Sequence, residues 1–400
     1  MLLERRRERL ADELARASAD GWLLYDFRGS NPAFERLLGE VPQSTRRAFL
    51  YIPRREQGEP RLLIHHVDAG NFTRLGLDVR TYGARDELLT GLQNLLGPAR
   101  RVLMEYSPGN AIPYVSRVDA GTLELVRSLG VEVASSADAL AAVVAAWDAA
   151  DLASHQRAAA KLEQAKDALF SAMRSVLGLL QVWTEVDAQS FLLTQFEQLG
   201  LECDHPPIVA FNVHAGDPHY APHPSLALQL KHGDLVLVDL WAREKARPDG
   251  GPGAYADITW MATAAETPPP EQMHIWETVR DARDTAVRFL QERLAAGQPP
   301  QGGEVDHAAR DLITRAGYGP SFTHRTGHSI GWTAAHGDGV NIDDFETHDT
   351  RLLRPGAAFS IEPGIYLPAF GVRSEINVAI SAGGQLRVTT PPQQDLVRLV

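Results

Sequence analysis

Sulfur is nearly absent from the chain, which has one cysteine, Cys203, in 400 residues. A lone cysteine excludes an intrachain disulfide framework and any cysteine-built zinc site. It reads as a small residue beside a loop in a reducing compartment, so a cytoplasmic location is expected. Long apolar runs are missing too. The longest, Ala139 to Trp147, has nine residues, where a membrane span needs roughly 20. The N-terminal "MLLERRRERLADELARA" is charged from residue 4 and has no apolar export core. Neither GxGxxG nor GxxxxGKS occurs, which removes the usual footing for nucleotide chemistry. The first 150 residues contain no lysine and balance 19 arginines against 20 acidic residues. Nearly all of the net charge of −12 therefore falls after residue 150, with twelve of the fourteen histidines. An acidic C-terminal part disfavours nucleic acid and anionic membrane as partners.

What remains is an ordinary globular composition, 44% hydrophobic with a mean hydropathy of −0.20, and enough chain for two well-filled domains. An amphipathic helix is expected over residues 1–18. The short β-like runs "GWLLYDF" (21–27), "RAFLYIP" (47–53), "RLLIHHV" (61–67) and "RRVLMEY" (100–106) alternate with helical patterns at 85–96 and 116–129. This alternation predicts an α/β domain over residues 1–147. The remainder, 148–400, opens with helices at about 151–180 and 184–199. Further helices are expected at 268–296 and 303–316, amid strands that carry unusual residues.

Those strands raise the functional question. "LVLVDLW" (235–241) and "AYADITW" (254–260) each place an aspartate inside an apolar run, and a buried isolated carboxylate costs several kcal/mol unless something positive meets it. Residues two apart share a strand face. Asp257 therefore lies with Tyr255 and Thr259, Glu362 with Ser360, and Glu375 with Arg373 and Asn377, while His324 and His328 share a side. Asp239, Asp257, His328, Glu362 and Glu375, drawn from separate segments, are reconciled by a pair of divalent cations. Each residue taken alone reads as an ordinary hydrogen-bonded strand residue; the set does not.

The contexts "VDL", "YADIT", "GHSIG", "SIEPGIY" and "GVRSE", in that order, resemble the pita-bread metallopeptidases, which include Xaa-Pro aminopeptidases, Xaa-Pro dipeptidases (prolidases) and methionine aminopeptidases. The likeness covers about residues 150–400, and the domain ahead of it is similar to the creatinase and prolidase branch. The fold implied is an α/β N-terminal domain followed by an α+β pita-bread (creatinase/aminopeptidase) catalytic domain. The resemblance implies five metal ligands, Asp239, Asp257, His328, Glu362 and Glu375, with Asp257 and Glu375 bridging. It implies proton transfer by Glu362, catalytic roles for His219, His324 and His336, and a steadying Arg373. His223 is an alternative substrate contact. The cofactor implied is two divalent ions, Mn²⁺ first and Zn²⁺ or Co²⁺ as alternatives, lowering the pKa of a shared water toward ~7.

By the same likeness the expected substrate is a small peptide with proline second, preferably a dipeptide whose carboxylate meets Arg351. A longer peptide is the alternative, and a metal-free creatinase-like hydrolase or a non-catalytic binding relative is a further one. A homodimer is expected by analogy. The chain departs from the family pattern at Trp241 and Trp260, at the eight-step spacing from His328 to His336, and at the 18-residue spacing between Asp239 and Asp257. The residues added there, "AREKARPDGGPGA", predict a protruding loop over the site.

Overall fold

A computed structural model describes residues 2–39 and 44–400. The chain divides into two compact units, Met1–Ala145 and Ala146–Val400.

In the first unit, β1 (Gly21–Phe27), β2 (Arg47–Pro53), β3 (Arg61–His65), β4 (Asp78–Tyr82), β5 (Arg101–Met104) and β6 (Glu132–Ser135) form one sheet in the order β4-β3-β2-β1-β5-β6. The β1–β2 and β2–β3 pairs are antiparallel and the others parallel. Strand parity sorts β1 between two cores. Trp22 and Leu24 pack on one face with helices α1 (Leu2–Arg16) and α2 (Pro32–Leu38). Leu23 and Tyr25 pack on the other with α4 (Arg85–Leu96) and α5 (Ala120–Ser128). The predicted strand at 61–67 ends at His65, whose Nδ1 accepts the Val67 N–H and starts α3 (His66–Phe72). The strands β4 and β6, absent from the sequence reading, are the two edges of the sheet. Their mixed exposure leaves no apolar run to recognise.

The second unit opens at Ala146, so Trp147, expected at the end of the first domain, belongs to the C-terminal unit. Its N–H donates to Gly356 O, and its ring joins a core with Tyr255, Ile330 and Trp332. After the short α6 (Ala137–Ala139) of the first unit, the second contains α7 (Ala149–Gly178), capped by Asp148 on Ala150 and Asp151, and α8 (Glu185–Leu199), capped by Thr184 and ended by Gly200 at φ +69°. Both pack on a sheet of β7 (Leu201–Glu202), β8 (Ile208–Phe211), β9 (Leu235–Glu244), β10 (Ala256–Thr263) and β16 (Val397–Arg398). Two smaller sheets hold β11 (Ala358–Ile361) with β14 (Ile376–Ile380) and β15 (Leu386–Val388), and β12 (Gly364–Tyr366) with β13 (Gly371–Arg373). Helices α9 (Pro270–Ala295) and α10 (Gly302–Arg315) complete the unit. Among the described residues, no helix is long and apolar enough to cross a membrane.

The antiparallel β9–β10 pair sets the site. Its register places Thr259 opposite Asp239 and Asp257 opposite Trp241, so all four side chains leave one face. In the turn between these strands, Arg247 pairs with Asp151 in the first turn of α7 and with Asp249 in its own loop. The added residues are thereby anchored to a helix.

Candidate metal centre

Five acidic and imidazole side chains meet on the β9–β10 face. Asp257, His328 and Glu375 each offer a ligand atom within 4.8 Å of the other two. His328 Nε2 lies 3.5 Å from Asp257 Oδ2 and 3.4 Å from Glu362 Oε1. Its Nδ1 faces Ser329 O at 3.0 Å, which assigns the ring proton to Nδ1 and leaves the Nε2 lone pair toward the carboxylates. Asp239 joins through Arg373, whose Nη2 donates to Oδ2 at 2.5 Å.

Local sequence explains each placement. Asp257 N–H donates to Asn377 Oδ1 at 2.9 Å, Thr259 Oγ1 to Glu375 Oε2 at 3.0 Å, and Ser360 Oγ to Glu362 Oε1 at 2.9 Å. The segment 371–380, expected as one strand, breaks at Ser374 and Glu375 into β13 and β14, which releases Glu375 from the ladder. His328 sits on no regular strand. It is carried between isolated bridges at Gly327 and Ser329, and Gly327 is required because a Cβ there would strike the Ser360 carbonyl.

The electrostatics follow from burying like charges together. Burial first, then the neighbouring charges of Asp239 and Glu362, holds Asp257 well above the usual carboxylate range. Glu375 is raised by burial and by Asp257. Burial pushes Glu362 up to about 7 against the pull of Arg373. Burial, with His336 and Arg325 nearby, holds His328 well below the ordinary imidazole value. Three buried carboxylate oxygens, Asp239 Oδ1, Asp257 Oδ1 and Glu375 Oε1, have no hydrogen-bond partner. Unpartnered acceptors from converging carboxylates, next to a neutral imidazole lone pair, fit divalent cations with oxygen-rich ligation.

The other sequence-selected residues divide. His336 lies beside His328, ring centroids 3.9 Å apart. Arg325 Nη2 donates to its Nδ1 at 3.2 Å, which assigns the ring proton to Nε2. Burial of one ring face, with Arg325, holds its pKa at about 4. His324 is also at the site, but both its nitrogens are occupied: Nδ1 by Arg325 O at 2.7 Å and Nε2 by Tyr366 OH at 2.7 Å. Its pKa, pushed down to about 3 by burial and Arg373, keeps the ring neutral. His219 is exposed beside Pro218, whose carbonyl accepts from Arg373 Nη1 at 3.3 Å. His223 instead closes a local turn with Ser225 at 2.8 Å. Arg351 is a correction. Asp349 and the carbonyls of Asp338 and Gly339 consume its guanidinium, and 1% of its side chain is exposed, so it offers no substrate contact. Burial pushes the Cys203 thiol up to about 11, leaving it unreactive at neutral pH.

Sequence reasoning overlooked Tyr366, although it lies within the quoted "SIEPGIY". Arg373 Nη1 donates to its hydroxyl at 3.0 Å, and the hydroxyl in turn donates to His324 Nε2. It also overlooked Glu185, a fully buried carboxylate that accepts from Phe211 N, Tyr220 OH and Leu228 N and pins the loop bearing His219. An acid at the first position of a helix reads as an ordinary dipole partner, so no signal separated it.

Comparison with known proteins agrees with this geometry. The Xaa-Pro dipeptidase of Lactobacillus helveticus is 35% identical over 172 residues, 42% of this chain and 40% of that protein. The chain spans about half the length, or less, of the curated relatives it matches. Among solved structures, the dipeptidase PepE of Mycobacterium ulcerans superposes with a TM-score of 0.73 at 23% identity, covering 100% of this chain and 98% of that one. The prolidase of Pyrococcus horikoshii OT3 gives 0.64 at 20%, covering 98% and 100%. These neighbours share the fold, an N-terminal α/β unit followed by a pita-bread unit. The sequence profile of one family matches residues 153–382, the stretch that carries all five converging side chains. With that match over more than half its length, the chain belongs to metallopeptidase family M24.

Proposed function

We propose that the protein hydrolyses the Xaa-Pro bond of dipeptides. The observation that carries this reading is the set of three buried carboxylates, one half-buried carboxylate and one neutral imidazole, with three oxygens unpartnered. Asp239, Asp257, His328, Glu362 and Glu375 would hold two divalent ions, with manganese the first choice and zinc or cobalt the alternatives. When bound, such ions supply Lewis acidity and neutralise the carboxylate charge.

The chain's own residues do the rest. His336 presents its Nε2–H to the carbonyl oxygen of the scissile bond, where negative charge develops. Glu362, whose Oε1 is held by Ser360, takes a proton and delivers it to the departing proline nitrogen. Arg373, fixed by Tyr366, Thr259 and Asp239, stops Asp239 from swinging away. Proline lacks an amide N–H and its ring fixes φ, so a site built on side chains rather than on extended-backbone pairing suits it. The homodimer expected by analogy belongs to the same reading and is checked by light scattering.

The test is turnover of Ala-Pro beside Ala-Pro-Gly by protein loaded with Mn²⁺. Rapid cleavage of the dipeptide supports the reading. A strong preference for the tripeptide replaces it with an aminopeptidase, and no cleavage of either removes it.

A further inference from the structure

Beside the carboxylate cluster stands a wall built from Trp241 and Asp204. Trp241 lies two residues after Asp239 on β9 and directly across from Asp257 on β10, so its side chain leaves the sheet on the ligand-bearing face. It is half-buried and packs against the cluster formed by Ile330, Trp332 and Ala335, next to His336. Its Nε1–H donates to Asp204 Oδ1 at 2.8 Å.

Asp204, in the turn after β7, is fixed by that bond and by the His205 N–H on the same oxygen at 3.1 Å. The second oxygen, Oδ2, has only a 3.5 Å approach to the His205 ring, which is 80% exposed. Among the described residues, no lysine or arginine pairs with Asp204. Its negative charge is felt at the centre, where it adds a small upward pull on Asp257 and partly opposes the lowering of His336 by burial and Arg325. The chain has therefore placed a carboxylate without a lysine or arginine partner near a cluster already rich in them.

We propose that Asp204, oriented by Trp241, is a specificity residue that selects substrates carrying a positive charge on the side chain of their first residue, as in Lys-Pro and Arg-Pro. This rests on the Xaa-Pro reading. Trp241 is the cross-strand neighbour of Asp257, and the Asp204 carboxylate is held at the far end of its indole, a side-chain length from the strand pair. That offset matches a cation at the end of a long side chain, not the α-ammonium on the peptide backbone. Asp204 touches no reacting atom, so its effect falls on substrate binding.

Turnover of Lys-Pro, Ala-Pro and Glu-Pro by the Mn²⁺-loaded wild type, Asp204→Asn and Trp241→Phe tests the proposal. The wild type favours Lys-Pro over Glu-Pro in kcat/KM. Asp204→Asn lowers the Lys-Pro to Ala-Pro ratio roughly tenfold, the worth of one charge-assisted hydrogen bond, and does so through KM. Trp241→Phe, which keeps bulk but loses the N–H, moves the ratio in the same direction by less. An unchanged ratio, or equal loss on all three dipeptides, overturns the proposal. If no Xaa-Pro dipeptide is cleaved, the Xaa-Pro reading fails, and the proposal is decided by saturation-transfer NMR with L-lysinamide against its uncharged isostere L-norleucinamide. Preferential lysinamide binding lost in Asp204→Asn sustains it; equal binding, or none, overturns it.

Discussion

Arg373 and Asp239, 134 positions apart in sequence, share a 2.5 Å hydrogen bond in the interior of the C-terminal unit. The same guanidinium donates to Thr259 Oγ1 at 3.1 Å and to Tyr366 OH. One buried cation thus ties β9, β10 and β12 together behind the carboxylate cluster.

Replacing Arg373 by methionine should therefore cost about 3–5 kcal/mol of stability, the usual penalty for stranding one partner of a buried ion pair. Urea denaturation of chelated protein measures it. A loss below 1 kcal/mol would show that Asp239 finds another partner.

Chelation should make stability pH-dependent in a definite direction. Asp257, Glu375 and Glu362 have folded-state pKa values raised above their unfolded ones, with Glu362 at about 7. Their stabilising contribution is complete below the unfolded carboxylate range and is lost as pH rises through the folded values. The Tm of chelated protein should fall between pH 5 and 8, and added Mn²⁺ should restore most of it at pH 8. A flat profile by scanning calorimetry would contradict the assignment.

Glu375→Gln removes one anionic ligand while leaving the hydrogen bond from Thr259 available. Metal stoichiometry by plasma spectrometry should drop below two equivalents and Ala-Pro cleavage should fall at least 100-fold. The chelated variant should melt higher than chelated wild type at pH 8.

Tyr366→Phe deletes the hydroxyl that links Arg373 to His324 without altering any of the five ligands. A 10–100-fold fall in kcat with a smaller change in KM is expected, since the loss is in positioning rather than in substrate contact. Retention of two bound metal equivalents distinguishes this outcome from collapse of the centre.

The N-terminal unit has its own titrating group. Glu105 is fully buried, accepts from Trp22 Nε1 at 2.5 Å, Asn31 Nδ2 at 2.9 Å and Ser136 Oγ at 3.1 Å, and is pushed up to about 7 by burial. Its raised pKa makes the unit lose stability as pH climbs from about 4.5 through 7. Glu105→Gln should flatten this slope in denaturation followed by Trp22 fluorescence; an unaltered slope would assign the titration elsewhere.

The strands that carry ligands were legible because a carboxylate in an apolar run has few innocent explanations. The alternation of faces then placed Thr259 with Asp257, as the β9–β10 register bears out, and Ser360 with Glu362, whose side chains share a hydrogen bond. Edge strands β4 and β6 were illegible because half-exposed strands carry no hydrophobic period. Arg351 misled for a different reason: an arginine near a site reads alike whether free or consumed, and only the partner Asp349, with two carbonyls, distinguishes the cases. Glu185 and Tyr366 act through tertiary neighbours that sequence spacing does not encode.

Because Arg247 moors the β9–β10 turn to the start of α7, ligand positions are insulated from the length of that turn. Residues gained or lost between 245 and 253 leave the pairing of Asp239 with Thr259 untouched, whereas a single insertion inside either strand would rotate an aspartate to the opposite face. The turn is thus a place where a reporter peptide or affinity tag can be grafted into the middle of the chain, and where natural length variation is expected to accumulate.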